Sequence, residues 1–238
     1  MSKNIKIWYS LIIMRIVIVR HGNPNYEKDC LTELGHKQAE AAAQRLLSEG
    51  IDEIYSSPQG RAYQTAEYFS KASGIKDIHV LDFIREIRFG QEGFLYDDRW
   101  NPWKCVDELI WDGKDLQSPD WREYPAFKDN FATEDADKIA VEADKWLATL
   151  GYEREGLYYR NKRKDDAKKT VAVFCHGGAS SAFMAHVLNQ TFPYMCATQH
   201  FSHTAISILR FSSTPGLLTI PILELMNDDR HLKGIKVK

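Results

Sequence analysis

The clearest pattern in the chain is a run of apolar residues without alternation. Ile16 to Val19 are all β-branched and all apolar, and they lead straight into Arg20, His21 and Gly22. A strand that is apolar at every position is one buried on both faces, as in the interior of a parallel sheet. The pattern then changes period. Thr32 suits a helix N-cap, Ala39, Ala42, Ala43, Leu46 and Leu47 recur at helical spacing, and Gly50 suits a helix stop. "IDEIYSS" at 51–57 reads as a second strand, 61–72 as a helix and "IHVL" at 78–81 as a third strand. The alternation breaks over 95–169, which holds Trp100, Trp103, Trp111, Trp121 and Trp146 among acidic residues and prolines. Within it 134–150 has helical period, and 151–169 suits a hairpin arm. A buried strand returns at "TVAVFCHGG", followed by a helix at 179–189 and by two strands, "HTAISILRF" and "LLTIPILEL".

Strand and helix thus alternate with one interruption. This predicts a three-layer α/β/α sandwich with a mostly parallel sheet. Its core is 14–94 with 170–238, and the partly helical insertion at 95–169 lies over one edge. That insertion is expected to form a small core of its own, to act as a lid over the leaving-group site, or both. Residues 14–238 then form one domain behind an extension at 1–13. The extension carries Lys3 and Lys6 before a short apolar run, but it lacks a small-residue cleavage site and Arg15 ends the run. It is also too short to span a bilayer. It either packs across a homodimer or stays disordered.

Composition narrows the functional classes. With 238 residues, 44% hydrophobic, the chain can bury a sizeable core, and its formal net charge of −2 gives no general attraction to nucleic acid or an anionic membrane. Cys30, Cys105, Cys175 and Cys196 lie far apart with no C-x-x-C spacing, which predicts free thiols in a cytoplasmic protein.

In open α/β sheets ligands sit at the C-terminal ends of the strands. Four segments place reactive or cationic residues just past such ends or at helix starts: "VRHG" with Arg20 and His21, "SSPQGRAYQTA" with Arg61, "REIRFG" with Glu86, and "FCHGG" with His176. Two arginines and two histidines together make a pocket of donors suited to a dianion. Gly22, Gly177 and Gly178 let the backbone approach a ligand, and helix starts near Arg61 and Gly177 add N–H groups. A neutral imidazole is a competent nucleophile toward phosphorus, and a carboxyl such as Glu86 can protonate the departing alcohol.

"RHG", "LTELGHKQA", "SSPQGRAYQTA", "REIRFG" and "CHGG", in this order, resemble the histidine phosphatase superfamily, the phosphoglycerate mutase-like group. The resemblance implies a phosphohistidine on His21, a phosphate pocket of Arg20, Arg61, His21, His176 and Gly177, and Glu86 as proton donor. It implies no metal and no cofactor, and a small phosphorylated metabolite as substrate. Asn23 stands where members often carry Glu or Gln, and is a further candidate phosphate ligand. The Trp, Asn and Phe-Thr-Gly pattern of the glycolytic mutase is absent after "RHG", which favours a phosphatase over a phosphoglycerate or phosphosugar mutase. A non-catalytic phosphate-binding module is the third reading.

Other readings of single residues are weaker. Glu86 as a surface carboxylate would pair with Arg85 or Arg88. His200 and His203 lack a third metal ligand and read as satisfied turn histidines, with His203 able to reach the rim of the pocket. His36, His79 and His186 read as helix or loop residues without partners. Cys175 does not suit a cysteine phosphatase, because Ser181 stands where that chemistry needs arginine. No G-x-S-x-G elbow accompanies "HGG", which removes a lipase-type site. "LMNDDRHL" also resembles the end of some members and receives no role.

Overall fold

A computed structural model describes residues 13–164, 167–212 and 214–235. All of the N-terminal extension except the backbone of Ile13 lies outside these residues. The apolar run becomes strand β1 (Ile13–Arg20), followed by a two-residue ribbon of β2 (Pro24–Asn25) and β3 (Cys30–Leu31). Helix α1 (Glu33–Leu46) starts where Thr32 accepts a hydrogen bond from the Gly35 N–H at 3.1 Å. Strand β4 (Glu53–Ser56), helix α2 (Gly60–Ser73) and strand β5 (Ile78–Val80) complete the first half. The insertion supplies most of what comes next: β6 (Gly90–Gln91), β7 (Phe94–Leu95), α3 (Pro102–Trp111), α4 (Phe131–Thr149), β8 (Tyr152–Glu155) and β9 (Tyr158–Asn161). The chain ends with β10 (Lys169–Cys175), α5 (Gly177–Val187), α6 (Phe192–Thr198), β11 (Ile206–Ser212), β12 (Leu218–Thr219) and β13 (Ile222–Asp228).

Six strands form the main sheet in the order β13-β11-β1-β10-β4-β5. β1, β10, β4 and β5 run parallel; β11 pairs antiparallel with β1, and β13 pairs antiparallel with β11 and so runs in the direction of β1. The mostly parallel sandwich expected from the alternation is therefore present. β1 explains why its sequence does not alternate. Met14, Ile16 and Ile18 bury on one face with Val171 and Val173, while Val17 and Val19 bury on the other with Ala172 and Phe174. Helices α1 and α2 cover the second face through Leu46 and Phe69.

The first face is covered by α4, α5 and α6, and here the insertion departs from the expected separate core. Trp121, Phe127 and Trp146 bury in the same cluster as Ile16, Ile18 and Phe183, so the insertion extends the core of the sandwich. Its hairpin arm forms as read, with β8 and β9 antiparallel around Gly156 at φ 60°. "LLTIPILEL" is not one strand. Pro221 cannot donate to a ladder, and the chain divides there: β12 pairs with β9, and β13 joins the main sheet. "IDEIYSS" shortens to the four residues of β4.

One close approach fixes the loop after His21. A Cβ on Gly35 would lie 2.2 Å from the Asn23 carbonyl oxygen, and one on Gly22 would lie 2.6 Å from the Gly35 carbonyl oxygen. Both obstacles are backbone, so neither can swing aside. Gly35→Ala is expected to cost about 1–3 kcal/mol through this overpacking. A thermal melt of the variant checks it, and an unchanged midpoint would show that the loop yields freely.

Candidate active site

β1 and β10 pair in parallel from Met14↔Lys169 to Arg20↔Cys175. This register brings "RHG" and "CHGG" side by side although 155 positions separate their histidines. His21 continues the ladder by donating its N–H to the Cys175 carbonyl at 2.9 Å, and its own carbonyl accepts from the Thr204 N–H at 3.2 Å. Its ring is fully buried. Nδ1 lies 2.7 Å from the Gly22 carbonyl, and Nε2 lies 3.3 Å from Nε of Arg61. A carbonyl only accepts and a guanidinium only donates. The two contacts therefore agree on one tautomer, with the proton on Nδ1 and a lone pair on Nε2. Burial holds the imidazole well below its usual range, and Arg20 and Arg61 push the same way, so the ring is neutral at pH 7.

His176 precedes α5 at its N-cap. Its ring centroid is 5.1 Å from that of His21, and its Nε2 is 2.8 Å from the Ser57 hydroxyl. Its Nδ1 is buried with no partner among the described residues. Burial, reinforced by His21, also keeps this ring neutral. Arg61, in the first turn of α2, donates to Asp29 at 2.5 Å besides facing His21. Arg20 donates to the Phe201 carbonyl, and its Nε has no partner among the described residues. A Cβ on Gly177 would already touch the Arg20 guanidinium at 3.5 Å.

Glu86 sits at the N-terminus of α5. Its Oε1 accepts from the N–H groups of Gly178 at 2.9 Å, Ala179 at 3.1 Å and Ile87 at 3.1 Å. Burial raises its pKa above the usual carboxyl range, and the two arginines and the N–H donors oppose that rise without cancelling it. Three donors on Oε1 leave Oε2 as the oxygen available for a proton. The alternative pairings of Glu86 do not form: Arg85 binds Asp82, and Arg88 binds Asp135 and Glu134. Ligand atoms of His21, Glu86 and His176 lie within 4.8 Å of one another.

Arg20, Arg61, Glu86 and Gly177, which surround the buried histidines, line a cavity of about 900 Å³. Asn23 uses its carbonyl oxygen and its backbone N–H locally, leaving its side-chain amide nitrogen as a donor. Its Oδ1 accepts from the Thr32 hydroxyl at 2.7 Å, and its N–H donates to Gln38 at 2.7 Å, so it ties the loop to α1. Sequence reading overlooked Ser57 and Gln59, although both stand in the "SSPQGR" segment. Ser57 holds His176, and Gln59 accepts the Glu86 N–H at 2.6 Å. It overlooked Asp29 too, which nothing in the local pattern marks.

Several histidine expectations change. His203 is not a satisfied turn histidine: its ring is 5.7 Å from His21, its Nε2 is buried without a partner among the described residues, and burial pushes it down to about 4. His186 has a partner, Asp144, at 2.9 Å, and His36 meets the Tyr68 hydroxyl at 3.1 Å. His79 lies in β5 against the Tyr55 ring. In "LMNDDRHL", His231 meets the Thr204 hydroxyl at 3.0 Å, which supports the residue that bonds the His21 carbonyl. Burial pushes the Cys175 thiol up to about 12, consistent with an inert residue.

The buried imidazoles link stability to pH. The unfolded chain protonates His21 and His176 below about pH 6.5, while the folded chain resists. Stability is thus present above that value and lost as pH falls, by up to about 1.4 kcal/mol per pH unit for each ring. The raised carboxyl of Glu86 acts oppositely, weakening folding as pH rises through its own titration. Melting midpoints taken from pH 7.5 to 5.5 are expected to fall, and to fall less in His176→Asn. A flat profile would contradict neutral burial.

Comparison with known proteins agrees with the motifs. Residues 16–104 match the model of the histidine phosphatase superfamily (branch 1). Phosphoserine phosphatase 1 of Hydrogenobacter thermophilus is 27% identical over 175 residues, covering 69% of this chain and 71% of that protein. A second protein of that organism is 37% identical over 86 residues, so the chain spans only 42% of its length. A mycobacterial glucosyl-3-phosphoglycerate phosphatase superposes with a TM-score of 0.62 at 22% identity, covering 90% of this chain and 98% of that one. A phosphoglycerate mutase from Bacillus anthracis gives 0.61 at 17%, covering 94% and 96%. The last two show the shared fold. No described helix is long and apolar enough to cross a membrane.

Proposed function

As the chain belongs to the histidine phosphatase superfamily, we propose that it is a phosphomonoester hydrolase working through a phosphohistidine on His21. The observation that carries this reading is the fixed tautomer of His21, with a buried Nε2 lone pair between Arg61 and His176. Nε2 attacks phosphorus as the bond to the ester oxygen breaks. The Glu86 proton passes to the leaving alkoxide. Positive charge arising on the ring is offset by the Nδ1–H bond to the Gly22 carbonyl. Water then attacks the phosphohistidine, Glu86 takes its proton, and His21 returns neutral with release of phosphate. Arg20, Arg61 and the free Nδ1 side of His176 hold the phosphoryl oxygens throughout. Asn23 stays a candidate in this ligand set, because Thr32 occupies only its carbonyl and its amide nitrogen is a donor.

Two neutral imidazoles and a carboxyl also have the donor types of a metal site. Two guanidinium groups beside them oppose a cation and favour an anion, which supports the metal-independent reading. Four free cysteines suit a cytoplasmic location. Rapid acid–base quenching during turnover tests the mechanism. The expected result is a phosphoenzyme that survives alkali and is lost in acid, mapped to His21. A coupled isomerisation assay separates hydrolysis from mutase activity, and phosphate binding without release would leave a binding module.

A further inference from the structure

Among the described residues, both arginines that line the cavity lie in its phosphate half. Arg20 and Arg61 both stand against the His21–His176 pair. The rest of the wall is built differently. Tyr26, Phe89, Tyr96, Trp103 and Phe201 line it, each from a different loop or element start. Tyr26 is 66% exposed and Tyr96 56% exposed. Exposed rings that converge on a cavity differ from scattered surface aromatics, because they present unspent apolar area to a ligand. Their positions are also set. Tyr96 packs edge-on to Phe89 at 5.3 Å and donates its N–H to the Phe89 carbonyl at 2.7 Å. Tyr26 lies against the Arg61 guanidinium at 5.4 Å. Trp103 is fixed at the start of α3, where Asn101 accepts its N–H at 3.1 Å.

Charge on this side is equally informative. Among the described residues the one further formal charge lining the cavity besides the two arginines is the Asp29 carboxylate, since Glu86 serves the reaction as a neutral acid. Asp29 already engages Arg61 and the Gly60 N–H. A leaving group bearing a carboxylate would face Asp29 and an apolar wall, with no lysine or further arginine among the described lining residues to hold it. His200 offers a single imidazole there.

We propose that the leaving group is an uncharged alcohol carrying a planar ring, seated among Tyr26, Phe89, Tyr96 and Trp103, rather than a carboxylated alcohol such as serine or glycerate. This inference rests on the phosphomonoesterase reading of the site and names its substrate class. Trp103 and Tyr96 are its specificity-determining residues.

The test uses esters whose alcohols differ in shape and charge: 2-naphthylmethyl phosphate, propyl phosphate, phosphoserine and 3-phosphoglycerate. The expected kcat/KM for the naphthylmethyl ester exceeds that for the propyl ester by at least about tenfold, and that for the carboxylated esters by about a hundredfold. Trp103→Ala, checked for an unchanged melting profile, is expected to narrow the naphthylmethyl-to-propyl ratio at least about fivefold. Binding of 2-naphthylmethylphosphonate and propylphosphonate, measured by calorimetry, reads the same preference without turnover. A phosphonate affinity ratio near one, or preference for the carboxylated esters, overturns the inference. Absence of phosphate release from every ester, with the phosphonate preference intact, instead removes the phosphatase reading and supports the ligand class.

Discussion

His21→Ala is expected to lower phosphate release from any phosphomonoester by at least about 10⁴-fold, the scale seen when a covalent nucleophile is removed. The loss should appear in kcat, and no phosphoenzyme should form. Arginine and histidine groups that hold the phosphoryl oxygens remain, so phosphate should still raise the melting midpoint of the variant. That pairing of retained binding with lost turnover distinguishes a missing nucleophile from a collapsed pocket. Removing a buried ring also leaves a cavity, which makes the melt a necessary companion. Substantial release by a folded His21→Ala protein would mean that water attacks the ester directly and that His21 only positions it.

The second large effect concerns the proton. Glu86→Gln keeps the size of the side chain and an oxygen for the N–H groups at the start of α5, but it has no acidic proton to give. Alkyl phosphates, whose alkoxides leave badly, should slow by about 10²–10⁴-fold. p-Nitrophenyl phosphate barely needs the acid and should slow far less. The pH profile should change with it. A neutral His21 persists into acid because burial lowers its pKa, and a protonated Glu86 persists upward because burial raises its own. Wild-type kcat/KM for alkyl esters should therefore decline as pH rises through the Glu86 titration. The variant should lack that decline. Equal slowing of alkyl and aryl esters would remove Glu86 from the acid role.

Much of this site was legible in the sequence because strand ends and helix starts carry its chemistry. An apolar run marks where a strand is buried, and the first polar residue after it marks where the strand emerges. Arg20, His21 and His176 become candidates this way, and Arg61 and Glu86 through their motifs. Residues that act through neighbours leave no such trace. Ser57 and Gln59 matter because β4 ends beside β10, a pairing visible only in the assembled sheet. Asn23 shows a link of the same kind: α1 begins close enough for the Thr32 hydroxyl to donate to its side-chain carbonyl, a contact that its residue type does not reveal. His203 reads as any turn histidine until β11 is placed against β1 and brings the ring to His21. The aromatic insertion was read as a separate unit because its residues are contiguous in sequence, whereas their burial is shared with the sheet.

The position of β1 between β10 and β11 has a consequence for synthesis on the ribosome. The stretch 16–104 contains His21, Arg61 and Glu86, yet both neighbours of β1 lie beyond residue 168. While the chain emerges, a strand apolar on both faces waits unpaired until about 150 further residues have followed it. Contacts so distant in sequence close slowly, and an unpaired apolar strand is prone to aggregate in the interval. Nascent chains stalled before β10 should therefore be protease-sensitive and bound by chaperones, and catalytic competence should arrive as a late, single event rather than build up with length.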